Sequence, residues 1–512
     1  RVTDYFTVAH GIMPENPLYL VSLMESLVLR NLDMAKYNIS LFKANISQSI
    51  PKLQELIEIG IKRVPAFFAV GHCYLLLDEK TWCINAYANA VETLLNGKYL
   101  TSHATIVAEI ALIGKLKSLN PKLSEQIKLY LNIAMVLVAD SSNKDRYKSY
   151  LEQYKIRKES FKTPVVIVAG GASNMDESKV DDYSNYIREL MHGFKGTVIS
   201  GGTTAGIPGL VGQVKAEMQE NSSVDFDLEA YLPEKLPHDA VKSSAYDRFY
   251  ETSSDSFSAL DILVCWADLI NNKINPEDVI LIGIDGGKIA TMEYQIALSL
   301  GAKVGLIAYS GRAVSDFMHD KTWKNHHNLL QLPKDPLTVW ALVNQTAETI
   351  LDKEEIEELA PIAHEFYRLK RLEELNPKTE DINKYKVLMP WNKLDASLQH
   401  SNLKQVAFYE LILNRVNLSI RKAKNPAKFN IKANLSTTEY DFLAKLEHAR
   451  WNAERLLKGW RYGPEKNITA KLNPCITAWE NLDDVTRVFD YDPVNNIPIL
   501  LEKIGYEVFK SN

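Results

Sequence analysis

VVIVAGGAS (Val165–Ser173), TVISGGTTAG (Thr197–Gly206) and VILIGIDGGKIATMEY (Val279–Tyr294) share one design. In each, a short β-branched run stops at a pair of glycines, and a stretch with helical spacing follows. Such a run reads as a buried strand, the glycines supply a turn that other residues make badly, and the helix carries the chain back. That is the wiring of a parallel sheet. Turns of this kind gather at the carboxyl ends of the strands, where backbone N–H groups and positive helix ends hold phosphate. A single pair is weak, because any tight strand–helix turn favours glycine. Three in one region predict a common crevice for a phosphate-bearing ligand near residues 170, 202 and 287.

The side chains around these turns suit such a crevice. Ser173, Thr203 and Thr204 offer hydroxyls to phosphate oxygens, and Lys288 and Arg312 offer positive charge, Arg312 following the turn Ser310-Gly311. Glu293 can accept from a ribose hydroxyl or from water. With Gly170, Gly171, Gly201, Gly202, Gly206, Gly286, Gly287 and Thr291 these form the expected ligand set. The competing reading is that the glycines only permit close packing and the two cations are solvated surface charges.

Working outward, residues 1–160 hold no strong strand and read as successive amphipathic helices. Phe67, Val70, Gly71, Tyr74, Cys83, Tyr87 and Ala90 fall at the spacings of a tetratricopeptide (TPR) helix pair, in which small residues let two helices touch and aromatics fill the gap. The flanks fit that register poorly, so an irregular helical bundle stands as the alternative. Either way the region is expected to package or bind protein. Phe161-Lys162-Thr163-Pro164 opens a doubly wound α/β region, Rossmann-like and reaching about residue 350. Residues 351–389 read as a charged helical connector. The last region, 390–512, reads as mainly α, with helices at about 401–422 and 437–458 and then a Pro-, Asp- and Asn-rich tail of little regular structure.

Composition narrows the function. A chain of 512 residues allows about three domains. Its formal charge of −5 lacks the basic footprint of a general nucleic-acid binder. No apolar run approaches the roughly 20 residues that span a bilayer. Cys73, Cys83, Cys265 and Cys475 are scattered with no CxxC spacing, as in a cytoplasmic protein with reduced thiols and no zinc site. The chain opens on Arg1 without a signal-peptide pattern, and an upstream domain is left open.

SGGTTAGIPGLVGQV (Ser200–Val214) and DGGKIATMEYQIALSLGAKVGLIAYSGRAV (Asp285–Val314) together resemble the SLOG superfamily, and within it the subgroup related to the N-terminal cytosolic region of TRPM channels. The resemblance spans about residues 163–345. It implies a Rossmann-like fold binding a nucleotide derivative, ADP-ribose or cyclic ADP-ribose foremost. By that resemblance Gly170, Gly171, Gly201, Gly202, Thr203, Gly286, Gly287 and Glu293 line the site. The superfamily also includes LOG-type phosphoribohydrolases with the motif GGxGTxxE, whose glutamate is catalytic. Here the stretch from Gly286 reads GGKIATME: Glu293 is in register, but Ile289 replaces the third glycine and the threonine is displaced to Thr291. The arginine that such enzymes draw from a preceding helix has its best counterpart in Arg248, far upstream, with a strand-like segment (Asp261–Trp266) between. These departures point to a binding pocket more than to an active site.

Near the C-terminus, Ser436-Thr437-Thr438-Glu439 reads as a capping box opening a helix that stops at Gly459. One face (Phe442, Leu446, Ala449, Ala453, Leu456) is apolar. Another carries His448, Trp451 and Arg455, and the turn beyond adds Trp460, Arg461 and Tyr462. Aromatics beside arginines can clamp a base, so His448, Trp451, Arg455, Trp460 and Tyr462 form a possible second pocket. The alternative is that the tryptophans are core and His448 a satisfied buried donor. LEHARWNAERLLKGWRYGPEKN (Leu446–Asn467) resembles the RyR domain of ryanodine receptors and bacterial proteins. PWNKLDASLQHSNLKQVAF (Pro390–Phe408) resembles the segment that often precedes it, with Leu403 where an arginine is expected.

Two modules related to parts of cation channels imply ligand sensing. The leading expectation is an intracellular, oligomeric sensor of an ADP-ribose-type second messenger in bacterial stress or antiphage signalling. It needs no further cofactor or metal, binds no nucleic acid, does not span a membrane, and has a protein partner on the N-terminal helices. The alternatives are a nucleotide N-glycosidic hydrolase using Glu293 and Arg248, or a TPR-type scaffold.

Overall fold

The computed structural model describes residues 2–30, 35–61, 63–97, 102–140, 143–171, 177–221, 224–308, 310–374, 385–423 and 435–510. The chain divides into two compact units, Arg1–Ser184 with Lys195–Leu329, and Asn185–Phe194 with Leu330–Asn512.

The N-terminal part of the first unit is helical, in line with its amphipathic spacing: α1 (Val2–Ile12), α2 (Pro17–Arg30), α3 (Ala35–Glu58), α4 (Arg63–Leu76), α5 (Lys80–Asn96), α6 (Ser102–Leu116), α7 (Pro121–Val138) and α8 (Lys144–Glu152). Helices α4 and α5 touch where the sequence places its smallest residue: a Cβ on Gly71 would lie 2.6 Å from Tyr87 Cε2. The Cys83 thiol donates to the Gly71 carbonyl at 3.3 Å. A buried polar cluster ties four of these helices together. His72 sits between Glu25 (2.5 Å) and Glu109 (2.6 Å), and the Tyr87 hydroxyl donates to Glu109.

Next come β1 (Val165–Gly170), α9 (Glu177–Met191), β2 (Thr197–Ile199), α10 (Gly206–Asn221), β3 (Asp227–Pro233), β4 (Arg248–Thr252), α11 (Ala259–Asn271), β5 (Ile280–Ile284), α12 (Lys288–Leu300), β6 (Lys303–Ile307), α13 (Arg312–His319), β7 (Leu329–Leu332) and α14 (Pro336–Val343). The strands form one parallel sheet in the order β4-β3-β2-β1-β5-β6-β7. The central strand β1 pairs with β2 (Val165↔Thr197) and with β5 (Val166↔Ile280). Val165 to Ala169 are all buried, so the run is apolar without alternation. The chain winds outward from β1 to β4 and then returns to β5 on β1's other side. That reversal opens a crevice at the carboxyl ends of β1 and β5.

The segment Asp261–Trp266, expected to be strand-like, belongs to α11. Ser258 and Asp261 form a capping box that starts the helix, and a short apolar run does not by itself distinguish buried helix from strand.

The C-terminal region contains α15 (Lys353–Glu374), α16 (Ala396–Ala407), α17 (Tyr409–Asn414), β8 (Leu418–Lys422), α18 (Thr437–Leu457), β9 (Arg461–Tyr462), β10 (Leu472–Asn473), α19 (Asp484–Lys503) and β11 (Tyr506–Lys510). The helix expected over 401–422 is broken. Asn417 takes a left-handed φ of 56°, and the chain then runs as β8, antiparallel to β11 (Leu418↔Lys510). The tail is also more regular than its composition implies. Asp483 caps the 20-residue α19, which tolerates Pro493 and Pro498 because Val494, Ile497, Leu500 and Leu501 anchor one face in the core. The Ser436/Glu439 capping box is present at the start of α18. Among the described residues no helix is long and apolar enough to cross a membrane, and no cluster of His, Cys, Asp and Glu is placed to hold a metal ion.

Candidate functional site

A cavity of about 310 Å³ opens at the switch point, bounded below by Ile167–Gly171, Ile199–Gly201 and Tyr231 and flanked by Pro208. Its walls are the start of α11 (Phe257, Ser258, Asp261, Ile262, Cys265, Trp266) and of α12 (Gly287, Lys288, Ile289, Ala290, Glu293). Helix α12 begins at Gly287 with no side-chain cap. The first N–H groups of a helix have no intrahelical partner, so those of Lys288, Ile289 and Ala290 form an uncapped positive helix end at the mouth.

The glycines divide into two kinds. A Cβ on Gly170 would lie 2.5 Å from both Ile207 Cγ1 and the Ile284 carbonyl, and one on Gly201 would lie 2.7 Å from Pro208 Cγ. On Gly202 (φ +75°) it would meet Ala230 at 2.6 Å, and on Gly286 (φ +112°) Ala290 at 2.6 Å. These four are glycine because the fold is tight there. Gly171 and Gly287 differ: a Cβ on Gly171 would find nothing nearer than 3.5 Å, and one on Gly287 nothing within 4 Å.

Of the expected ligand set, Gly170, Gly171, Gly201, Gly287, Lys288 and Glu293 border the cavity. Thr204, Thr291, Ser310 and Gly311 are engaged elsewhere. The turn after β2 is closed by residues 241–243: Thr204 N–H donates to the Val241 carbonyl and Ser243 N–H to that of Gly202, both at 2.9 Å. Thr203 is buried there with its hydroxyl unpartnered, and Gly206 (φ +62°) starts α10. The Thr291 hydroxyl donates back to the Gly287 carbonyl at 3.1 Å. Ser310 Oγ accepts from the Asp285 N–H at 2.9 Å, and a Cβ on Gly311 would fall 1.8 Å from Asp285 Oδ1. The start of α13 is thus filled by the chain's own carboxylate. Ser173 and the Arg312 side chain lie outside the described residues. Arg248 stands at the amino end of β4, ion-paired with Asp227 and, at 2.9 Å, with Glu229. It lies at the opposite end of the strands from the mouth.

Glu293 is the electrostatic centre of the cavity. No hydrogen-bond or ion-pair partner contacts its carboxyl among the described residues, and burial alone pushes its pKa up to about 7. Asp261, the other carboxyl at the wall, is also raised by burial but is fully engaged by Thr252, Ser254 and the Ser258 N–H. Burial holds the Cys265 thiol well above its ordinary value, so it is inert. The sequence reading missed the α11 wall, since Phe257, Ile262, Cys265 and Trp266 are ordinary core residue types until the crossover from β4 brings them to β1.

The second candidate cluster is built differently. His448 is buried, its Nδ1 facing Asp490 at 3.2 Å and its Nε2 the Thr477 carbonyl at 2.9 Å. Burial opposes its charge, but Asp490, the Thr477 carbonyl and Asp335 together leave its pKa raised. It is the satisfied buried histidine of the alternative reading. Two residues on, Arg450 bridges Glu447 and Glu454 at 2.8 Å each, all three buried. The Arg455 guanidinium lies 5.5 Å from the Trp451 ring centroid and 6.0 Å from that of Trp460. Tyr462 is exposed.

The fold and crevice define a Rossmann-like α/β protein with a cavity of ligand size at the switch point. Residues 426–510 match the family model of the RyR domain, which places that domain at the C-terminal end of the chain. No curated protein matches the chain.

Proposed function

We propose that the protein is a sensor that binds a nucleotide-derived ligand of the ADP-ribose type at the switch-point cavity. The phosphates sit at the start of α12, and the helical and RyR regions pass occupancy on through assembly or a partner. The observation that carries this reading is the uncapped start of α12 at Gly287, open to solvent beside Lys288 and continuous with an apolar cavity. A helix start of this kind takes an anion through its free N–H groups and its dipole. The resemblance of Ser200–Val214 and Asp285–Val314 to SLOG proteins supplies the ligand class. Hydrolysis is the weaker reading, because Arg248 is paired with Asp227 and Glu229 away from Glu293. Calorimetric titration with ADP-ribose and cyclic ADP-ribose tests the proposal: one of them gives saturable heat, and the absence of heat from both overturns it.

A further inference from the structure

We infer that the ligand enters this cavity base-first, with a purine ring inside and Glu293 hydrogen-bonding its edge. This rests on the nucleotide reading above and adds which part of the ligand is enclosed and which residue reads it.

Size comes first. Small-molecule pockets run from about 300 to 1,000 Å³, so a cavity of about 310 Å³ encloses one nucleoside-sized group and leaves the rest of a larger ligand outside. Charge then decides which group. The walls are Ile167, Ile199, Ile262, Trp266, Phe257 and Tyr231, and the charged side chains at the cavity are Lys288, Asp261 and Glu293. Lys288 is exposed and stands at the mouth. A phosphate pushed inside would meet two carboxyls and leave that lysine behind. A neutral aromatic ring buries against the apolar walls, while its phosphates stay at the start of α12.

Polar recognition inside falls to Glu293. Asp261 is used by Thr252, Ser254 and Ser258, and the Ser200 hydroxyl donates to the Val168 carbonyl at 2.7 Å. Glu293 has no such partner. A neutral carboxyl offers one donor and one acceptor side by side, which matches the adjacent ring nitrogen and amino group of adenine. Pyrimidines would leave their O2 carbonyl unpaired against apolar walls, which is penalised.

The test uses the full chain, adenosine and purine riboside, which lacks only the amino group, in a cycle with Glu293→Leu. In the unmodified protein, loss of the amino group weakens binding by about tenfold, the scale of one buried hydrogen bond. In Glu293→Leu the two nucleosides bind alike, and Glu293→Gln, whose amide also donates and accepts, restores the difference. Ribose 5-phosphate does not displace adenosine. The inference is overturned, with the nucleotide reading intact, if ADP-ribose binds but the amino group is worth the same with and without Glu293. Displacement of ADP-ribose by ribose 5-phosphate and not by adenosine overturns it equally. If neither ADP-ribose nor adenosine binds, the nucleotide reading itself fails.

Discussion

Two sets of charged side chains, one at the cavity of the α/β region and one in the RyR region, use similar residues to opposite ends. Around α18, Arg450 is saturated by Glu447 and Glu454, and His448 by Asp490 and the Thr477 carbonyl. Burial opposes ionisation of Glu454, yet the charge of Arg450 and the hydrogen bond and charge of Lys458 bring its pKa down to about 2. At the switch-point cavity, Glu293 has no partner among the described residues, and burial brings it up to about 7. A buried polar group with all its partners holds a fold together. One without partners, facing empty space, is disposed to bind.

The sharpest way to break this contrast is to remove the centre of the saturated cluster. Arg450→Ala leaves two buried carboxylates without their cation and is expected to cost about 3–5 kcal/mol. Urea titration of the full chain checks it, and a loss below about 1 kcal/mol would show that solvent relieves the cluster. Glu293→Gln should act in the opposite sense. A folded-state pKa raised from 4.5 to about 7 means that the native contribution of this carboxyl is present at low pH, falls as pH rises above 4.5 and is gone above 7. The glutamine variant, which cannot ionise, should therefore gain up to about 3 kcal/mol at pH 8 and nothing near pH 4, read as paired melting curves. A gain that does not vary with pH would show that Glu293 is solvated.

The glycines extend the comparison at smaller scale. Gly202→Ala meets a φ of +75° and a contact at 2.6 Å from Ala230, and should destabilise by about 1–2 kcal/mol from the left-handed backbone alone. Gly287→Leu sits at an ordinary φ of −127° with nothing within 4 Å. It should cost less than about 1 kcal/mol, the scale of a changed N-cap. Equal losses at the two positions in thermal denaturation would erase the division between packing and open glycines.

These pairs also show what a sequence carries. The apolar runs ending in glycine were enough to place β1, β2 and β5, because burial on both faces leaves a continuous apolar signature. The Ser436/Glu439 box located the start of α18 for a similarly local reason. Which glycine faces a neighbour and which faces space was not legible, since it depends on Ile207, Pro208 and Ala230, contacts made only in the fold. The closure of the β2 turn by Val241–Ser243 was hidden likewise, because main-chain pairing leaves little trace in side-chain identity. In α19 the prolines masked a helix that its buried face sustains.

The central claim, that the open crevice and not the aromatic face of α18 holds the ligand, is tested most directly by titrating ADP-ribose into Gly287→Leu and Arg455→Gln in parallel. Gly287→Leu should fold normally and lose binding, while Arg455→Gln binds like the unmodified protein. Binding that survives Gly287→Leu and is lost with Arg455→Gln would contradict it.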